Sequence, residues 1–282
     1  KVFLVEATHG ILPREDQDAA AIVKTALIRD GVTLLCCGRD TKLVPDGDNV
    51  RLTLNSHGVT YDESVDRLLV AVGRAPNVEG LGLEDVGVEY GLQSGVKVND
   101  RLQTTNPRIY ACGDVCSPFK ITHAADFMAR RVSQNTLFFG RAKASSLLIP
   151  WATYTSPELA HVGLLPEDAR KQGIATDTYT QNFADIDRAI LEGETEGFVR
   201  VHVKKGTDQI VGATIVATNA GDMIGELTLA MQHGIGLGKI ANTIHPYPTQ
   251  GEAIRKVGDL YNRTRLTPSR KALLTKIFSW MR

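Results

Sequence analysis

Two carboxylates and one phenol in this chain stand where their neighbours give them a chemical use. Residues Thr104 to Asp114 read Thr-Thr-Asn-Pro-Arg-Ile-Tyr-Ala-Cys-Gly-Asp. The pattern predicts a turn, a short strand from Ile109 to Cys112, and a Gly-Asp pair that delivers one carboxylate at the strand's end. Gly113 has no side chain to hold backbone away from a ligand. The Asp114 carboxylate can accept hydrogen bonds from a polyol or a ribose. Glu6 closes a second expected strand, Val2 to Glu6. From such a strand end an acidic side chain accepts hydrogen bonds from ribose hydroxyls in dinucleotide-binding units. The phenol is Tyr247, in Ile244-His245-Pro246-Tyr247-Pro248-Thr249-Gln250-Gly251-Glu252. With an ordinary pKa of about 10, against about 6.5 for histidine, it is a poor general base, though it can donate a hydrogen bond to a thiolate or a metal-bound group. His245 lies two residues earlier, on the same side of an extended segment and displaced along it.

The elements that must position these groups follow from periodicity and punctuation. Val2 to Glu6, Val32 to Cys36, Val50 to Asn55 and Leu68 to Val72 read as strands, with turns at Asp46-Gly47-Asp48 and His57-Gly58. Arg14-Glu15-Asp16 opens a helix to about Arg29, before Gly31. A second helix runs from about His123 to Phe139 and stops at Gly140. The texture changes at Pro150: Trp151 to Glu158 gives a strand and a turn, and Pro166 to Gln172 a short helix. Strands follow at Tyr179–Phe183, Phe198–Val203 and Ile210–Val216. An amphipathic helix, Gly221 to Gly234, carries Met223, Ile224, Leu227, Leu229 and Met231 for packing on that sheet.

The chain has 282 residues with 32 basic and 32 acidic side chains, enough for more than one core and with no net charge to draw nucleic acid. No apolar run reaches membrane-spanning length. Four cysteines are too few for a secreted disulfide scaffold, so a soluble, cytoplasmic protein is expected.

The order A-x-G-R-x-P-N (Ala71 to Asn77) then T-x-x-x-x-I-Y-A-x-G-D (Thr104 to Asp114) resembles the pyridine nucleotide-disulfide oxidoreductases, flavoenzymes that include lipoamide dehydrogenase, glutathione reductase and mercuric reductase. The resemblance implies an α/β fold. Partial dinucleotide-binding α/β domains precede an α+β dimerisation domain, an antiparallel sheet with helices on one face. The implied division is 1–73 for the trailing part of the NAD(P)-binding domain, 74–149 for the C-terminal part of the FAD-binding domain, 150–268 for dimerisation and 269–282 for a tail helix. Neither a Gly-x-Gly-x-x-Gly turn nor the family's redox-active cysteine pair is present, and the chain opens at what would be a second strand. It therefore reads as the C-terminal portion of a longer enzyme; the alternative is a cofactor-free dimerisation fragment with no activity of its own.

On that resemblance Gly113 and Asp114 bind the ribityl chain of FAD, and Lys120, Ile121, Thr122 and His123 lie along its isoalloxazine. Glu6 accepts from the adenosine ribose of the nicotinamide nucleotide, and Gly73 and Leu43 line the nicotinamide groove. Glu6 would repel a 2′-phosphate by roughly 4 kcal/mol at about 4 Å and an effective dielectric of about 20, so NAD(H) is expected over NADP(H). Hydride would pass from nicotinamide to flavin, then to a redox disulfide and an acceptor that is a small molecule, a thiol or a metal. The family's H-P-T-x-x-E segment supplies the acid/base histidine and a glutamate that orients it. Here Tyr247 replaces the histidine, as in mercuric reductase, and Glu252 is kept; in a homodimer both would reach the partner's redox site.

Three further features carry less. The carboxylates of Asp185, Asp187 and Glu192 read as a solvated turn, and no metal site is assigned. Cys36 and Cys37, adjacent on a strand, point to opposite faces. The tail from Ser269 to Arg282 mixes Leu273, Leu274, Ile277, Phe278 and Trp280 with basic residues. Such a helix fits an anionic membrane surface, but packing on the enzyme or a partner domain is the expectation.

Overall fold

A computed structural model describes residues 1–7 and 10–281. The chain divides into two units, Lys1–Asp66 with Pro150–Arg282, and Arg67–Ile149. In the first, β1 (Val2–Glu6) runs into α1 (Gln17–Arg29) and β2 (Val32–Cys36). β1 and β2 pair in parallel from Val2↔Val32 to Glu6↔Cys36, as a helical crossover requires. The start of α1 is fixed by Asp16, whose carboxylate accepts from the N–H groups of Asp18 (3.0 Å) and Ala19 (3.2 Å), satisfying two of the donors a helix start leaves unpaired. An antiparallel meander follows, of β3 (Arg39–Asp46), β4 (Asn49–Ser56) and β5 (Val59–Val65). Leu52 and Leu54 of β4 are buried with Leu35 of β2.

The unit Arg67–Ile149 holds β6 (Tyr90–Gly91), β7 (Gly95–Val96), a 3-10 turn at Gly113–Val115 and α2 (Thr122–Leu137). Two apolar clusters support it, one around Val78, Leu83, Val88 and Val96, the other around Leu102, Ala124 and Met128. Two expected strands are corrected here. Leu68–Val72 is not a strand: it has no ladder partner among the described residues, and Leu69 and Val72 are 88% and 94% exposed. β-rich composition describes a fit to a pleated, half-buried surface, and without a neighbouring strand it does not make one. Ile109–Cys112 shrinks to a single bridge, Gln103↔Tyr110. Its backbone is held by Ala111 N–H to Leu102 O (3.0 Å) and Thr104 N–H to Ile109 O (2.9 Å).

From Pro150 the chain builds a five-stranded antiparallel sheet from β8 (Trp151–Thr153), β9 (Glu158–Gly163), β10 (Thr176–Asn182), β11 (Phe198–Lys204) and β12 (Ile210–Ala217), in the order β10-β11-β12-β9-β8. Short α3 (Pro166–Lys171) and α4 (Asp187–Glu192) flank β10, and α5 (Ala220–Gln232), α6 (Leu237–Ala241), α7 (Glu252–Thr264) and α8 (Pro268–Trp280) follow β12. Helix α5 packs on β8, β9 and β12, and α7 on β10 and β11. Ile224 and Leu227 of α5 are buried, whereas Leu229, expected in the core, is 58% exposed.

The sheet is covered on its other face by the first segment of the chain. Leu159, Phe198 and Val216 cluster with Ile11, Ala19 and Val23. Alternation along the strands puts Arg200, His202, His161 and Thr214 on that face too. Arg200 donates to both oxygens of Asp16 (2.9 and 2.7 Å) and to Asp18 (2.8 Å). His161 bonds Thr214 (2.8 Å) and His202 bonds Thr178 (2.9 Å); burial pushes both imidazoles down to about 4, so they stay neutral at pH 7.

Every described residue of α8 is exposed, and Arg270 donates to the carbonyl of Arg265 (3.0 Å). Helical spacing places Arg270 one turn before Leu273 and Leu274 and two turns before Ile277, on the same strip of the helix; Arg282 lies outside the described residues. Among the described residues no helix is long and apolar enough to cross a membrane.

Candidate functional site

The predicted site residues fall into three groups. The first lies in the Arg67–Ile149 unit. Gly113 is buried at φ +77°, and a Cβ there would stand 2.9 Å from the Cβ of Ala125. Only glycine lets this turn meet the start of α2. Asp114 follows, its Oδ2 accepting from Arg74 at 3.2 Å in a pair whose side chains are 41% and 68% exposed. The carboxylate thus keeps open positions for hydroxyl donors. Lys120 is turned back into the loop, donating to the carbonyls of Asp114 (3.1 Å) and Ser117 (3.5 Å). Ile121 precedes α2 in an extended conformation and packs with Leu102, Ala124 and Met128. Thr122 and His123 open the helix, exposed, and the N-cap residue Ile121 makes no side-chain cap bond. A half-open carboxylate beside a helix start fits a hydroxylated chain carrying a polar ring edge.

The second group is divided. Glu6, half-buried, ends β1, and its carbonyl accepts from the N–H of Gly38 at 3.1 Å. Because β1 and β2 are parallel, Glu6 stands at the carboxyl ends of both, where parallel sheets bind nucleotides. Leu43 lies on β3, paired with Leu52 and 45% exposed. Gly73 belongs to the other unit, in exposed coil at φ +142°.

The third group is Tyr247 and its surroundings. The phenol is 70% exposed, and its hydroxyl donates to Asp187 Oδ2 at 2.8 Å. That hydrogen bond, then the charge of Asp187, with Glu252 adding to it, pushes the phenol above its ordinary value. The expected role for Glu252 is corrected. It does not bond Tyr247 but accepts from Arg255 at 2.9 Å in the first turn of α7, its other oxygen buried without a hydrogen bond among the described residues. Asp187 orients the phenol instead. The stretch around Asp187 is solvated as expected, with Asp185, Asp187 and Glu192 all exposed, but it forms the short helix α4 in place of a simple turn, tied down by Gln250, which donates to Glu192 (3.1 Å) and Glu194 (2.7 Å). Lys256 adds a bond to the carbonyl of Asp185 (3.0 Å). His245 makes no hydrogen bond with Tyr247 among the described residues and is engaged elsewhere. Its imidazole bonds Glu226 (3.0 Å) and the carbonyl of Thr243 (3.0 Å), with the side chain 9% exposed.

Sequence reasoning missed Asp187, Glu226 and the role of Arg74 as partner to Asp114. Asp187 and Tyr247 are 60 residues apart, and no spacing rule links a short helix to a distant proline-flanked loop.

Comparison with known proteins matches two family models: pyridine nucleotide-disulphide oxidoreductase over residues 1–130, and the pyridine nucleotide-disulphide oxidoreductase dimerisation domain over residues 149–257. The dihydrolipoyl dehydrogenase of Thermus scotoductus is 34% identical over 267 residues, 93% of this chain and 57% of that protein. The mercuric reductase of Staphylococcus aureus is 31% identical over 255 residues, 90% of this chain and 47% of that protein. Among solved structures, the HOCl-induced flavoprotein disulfide reductase RclA from Escherichia coli matches with a TM-score of 0.83 at 27% identity, over 92% of this chain and 59% of RclA. LpdA from Mycobacterium tuberculosis matches with a TM-score of 0.84 at 26% identity, over 92% of this chain and 56% of LpdA. The chain spans about half the length of the curated relatives it matches.

Proposed function

We propose, from the premise that this chain belongs to the pyridine nucleotide-disulphide oxidoreductase family, that it serves an FAD-dependent, NADH-driven reductase. FAD and a nicotinamide nucleotide, when bound, would supply the redox chemistry that carries electrons to an acceptor. The chain's own residues bind and orient. Asp114 accepts from the ribityl hydroxyls, with Gly113 bringing its turn against α2, and Lys120 to His123 border the ring. Glu6 accepts from the adenosine ribose, the support for NADH over NADPH, and Leu43 and Gly73 border the nicotinamide. We assign residues 1–73 to the nicotinamide side, 74–149 to the flavin side and 150–268 to subunit contact, the last on the dimerisation-domain match over residues 149–257. A cytoplasmic setting is supported by the low cysteine content, four in 282 residues.

The observation that carries the reading on the electron-acceptor side is Tyr247, exposed and held by Asp187 at 2.8 Å. A phenol pushed above its ordinary value does not abstract protons at pH 7. It orders the electron acceptor by hydrogen bonding, against the redox site of the partner in a homodimer. Stopped-flow kinetics of Tyr247→Phe in the flavin-loaded full-length enzyme test this. Flavin reduction by NADH should keep its rate while reoxidation by lipoamide or mercuric chloride slows about tenfold, the effect of one lost hydrogen bond of roughly 1.5 kcal/mol. Equal slowing of both half-reactions would sink the placement.

A further inference from the structure

A phenol has one hydrogen to donate. In this protein it goes to Asp187 Oδ2 at 2.8 Å, although the ring is 70% exposed. The carboxylate is fixed in turn: Asp187 opens α4, whose far end is anchored by Gln250 bonding Glu192 and Glu194. Because the loop that carries Tyr247 also carries Gln250, α4 and this loop are joined at two points three residues apart. Arg188 beside Asp187 is engaged by Glu192 (2.6 Å), and no cation pairs with Asp187 among the described residues.

We propose that Asp187 is a positioning residue: by accepting the phenolic hydrogen bond of Tyr247 it turns the phenolic lone pairs outward, so that Tyr247 meets the electron acceptor as a hydrogen-bond acceptor and not as a donor. This inference rests on the reading of Tyr247 as the residue facing the electron acceptor. It corrects the expectation, drawn from residue type alone, that the phenol donates to a thiolate. The group best met by an outward lone pair is a thiol S–H, and a thiolate would be met by lone pair and carboxylate charge together. Asp187 is set by its shape and charge alike: asparagine keeps the first and removes the second, and its amide can donate to the phenol and release the phenolic hydrogen.

The test uses Asp187→Asn, Tyr247→Phe and the double variant in the flavin-loaded full-length enzyme. The phenol is read by NMR of ring-labelled tyrosine across a pH titration, its signal assigned by loss in Tyr247→Phe. Turnover is read with lipoamide as the disulfide probe. Expected are a downward shift of the Tyr247 titration midpoint in Asp187→Asn and a drop in lipoamide turnover of about tenfold. The double variant should be no worse than Tyr247→Phe. A midpoint that stays put in Asp187→Asn overturns the proposal whatever happens to turnover. So does a shifted midpoint with unchanged turnover while Tyr247→Phe is impaired, and in that case the role of Tyr247 itself stands. If Tyr247→Phe turns over lipoamide at the wild-type rate, the reading of Tyr247 fails and the positioning role of Asp187 fails with it.

Discussion

At the scale of single residues, charge is placed with different consequences in different parts of this protein. Arg74 and Asp114 are both substantially exposed, so their attraction is screened and contributes at most about 1 kcal/mol. Its value is to orient one carboxylate oxygen and leave the other open. Arg200 and Asp16 are the opposite case, with side chains 18% and 7% exposed. Asp16 also caps α1, so one carboxylate fixes a helix start and joins that helix to the sheet. Arg200→Met would leave Asp16 buried without its counter-charge, and we predict a loss of about 3 kcal/mol or more in unfolding by denaturant. Asp18→Ala, which removes a partner that is 71% exposed, should cost under about 1 kcal/mol. Equal losses from the two would contradict the division between buried and exposed pairing.

At the scale of elements, local signals explain much of the fold. The acidic cap and Gly31 frame α1, and alternation frames β11 and β12, because both periodicities act within a few residues. Leu68–Val72 and Ile109–Cys112 were misread for one physical reason. A strand is a pairing, and its partner is not written in its own residues. The short pairing at Asp187–Tyr247 was illegible for the same reason, whereas Gly113-Asp114 was legible because a glycine next to a carboxylate constrains its own turn. That constraint can be tested by Gly113→Ala. The new methyl would meet Ala125 at 2.9 Å from a backbone at φ +77°. We predict about 1–3 kcal/mol of destabilisation from strain and overpacking, read as a lowered denaturant midpoint. A neutral substitution would show that the turn and α2 do not need their close approach.

At the scale of the whole molecule, a nucleotide-type βαβ start and an antiparallel sheet share one contact unit, while the Asp114 turn and α2 belong to another. The motifs that identified the family, Ala71 to Asn77 and Thr104 to Asp114, both lie in the second unit. Tyr247 lies in the first. We propose that the second unit presents a flavin site through Asp114. The most direct measurement is the visible spectrum of the purified chain after incubation with FAD and desalting, beside that of Asp114→Ala. The account predicts retained flavin bands that NADH bleaches, and loss of those bands in Asp114→Ala. A colourless wild-type chain, or flavin held equally by Asp114→Ala, would contradict it and favour a dimerisation fragment that binds no cofactor.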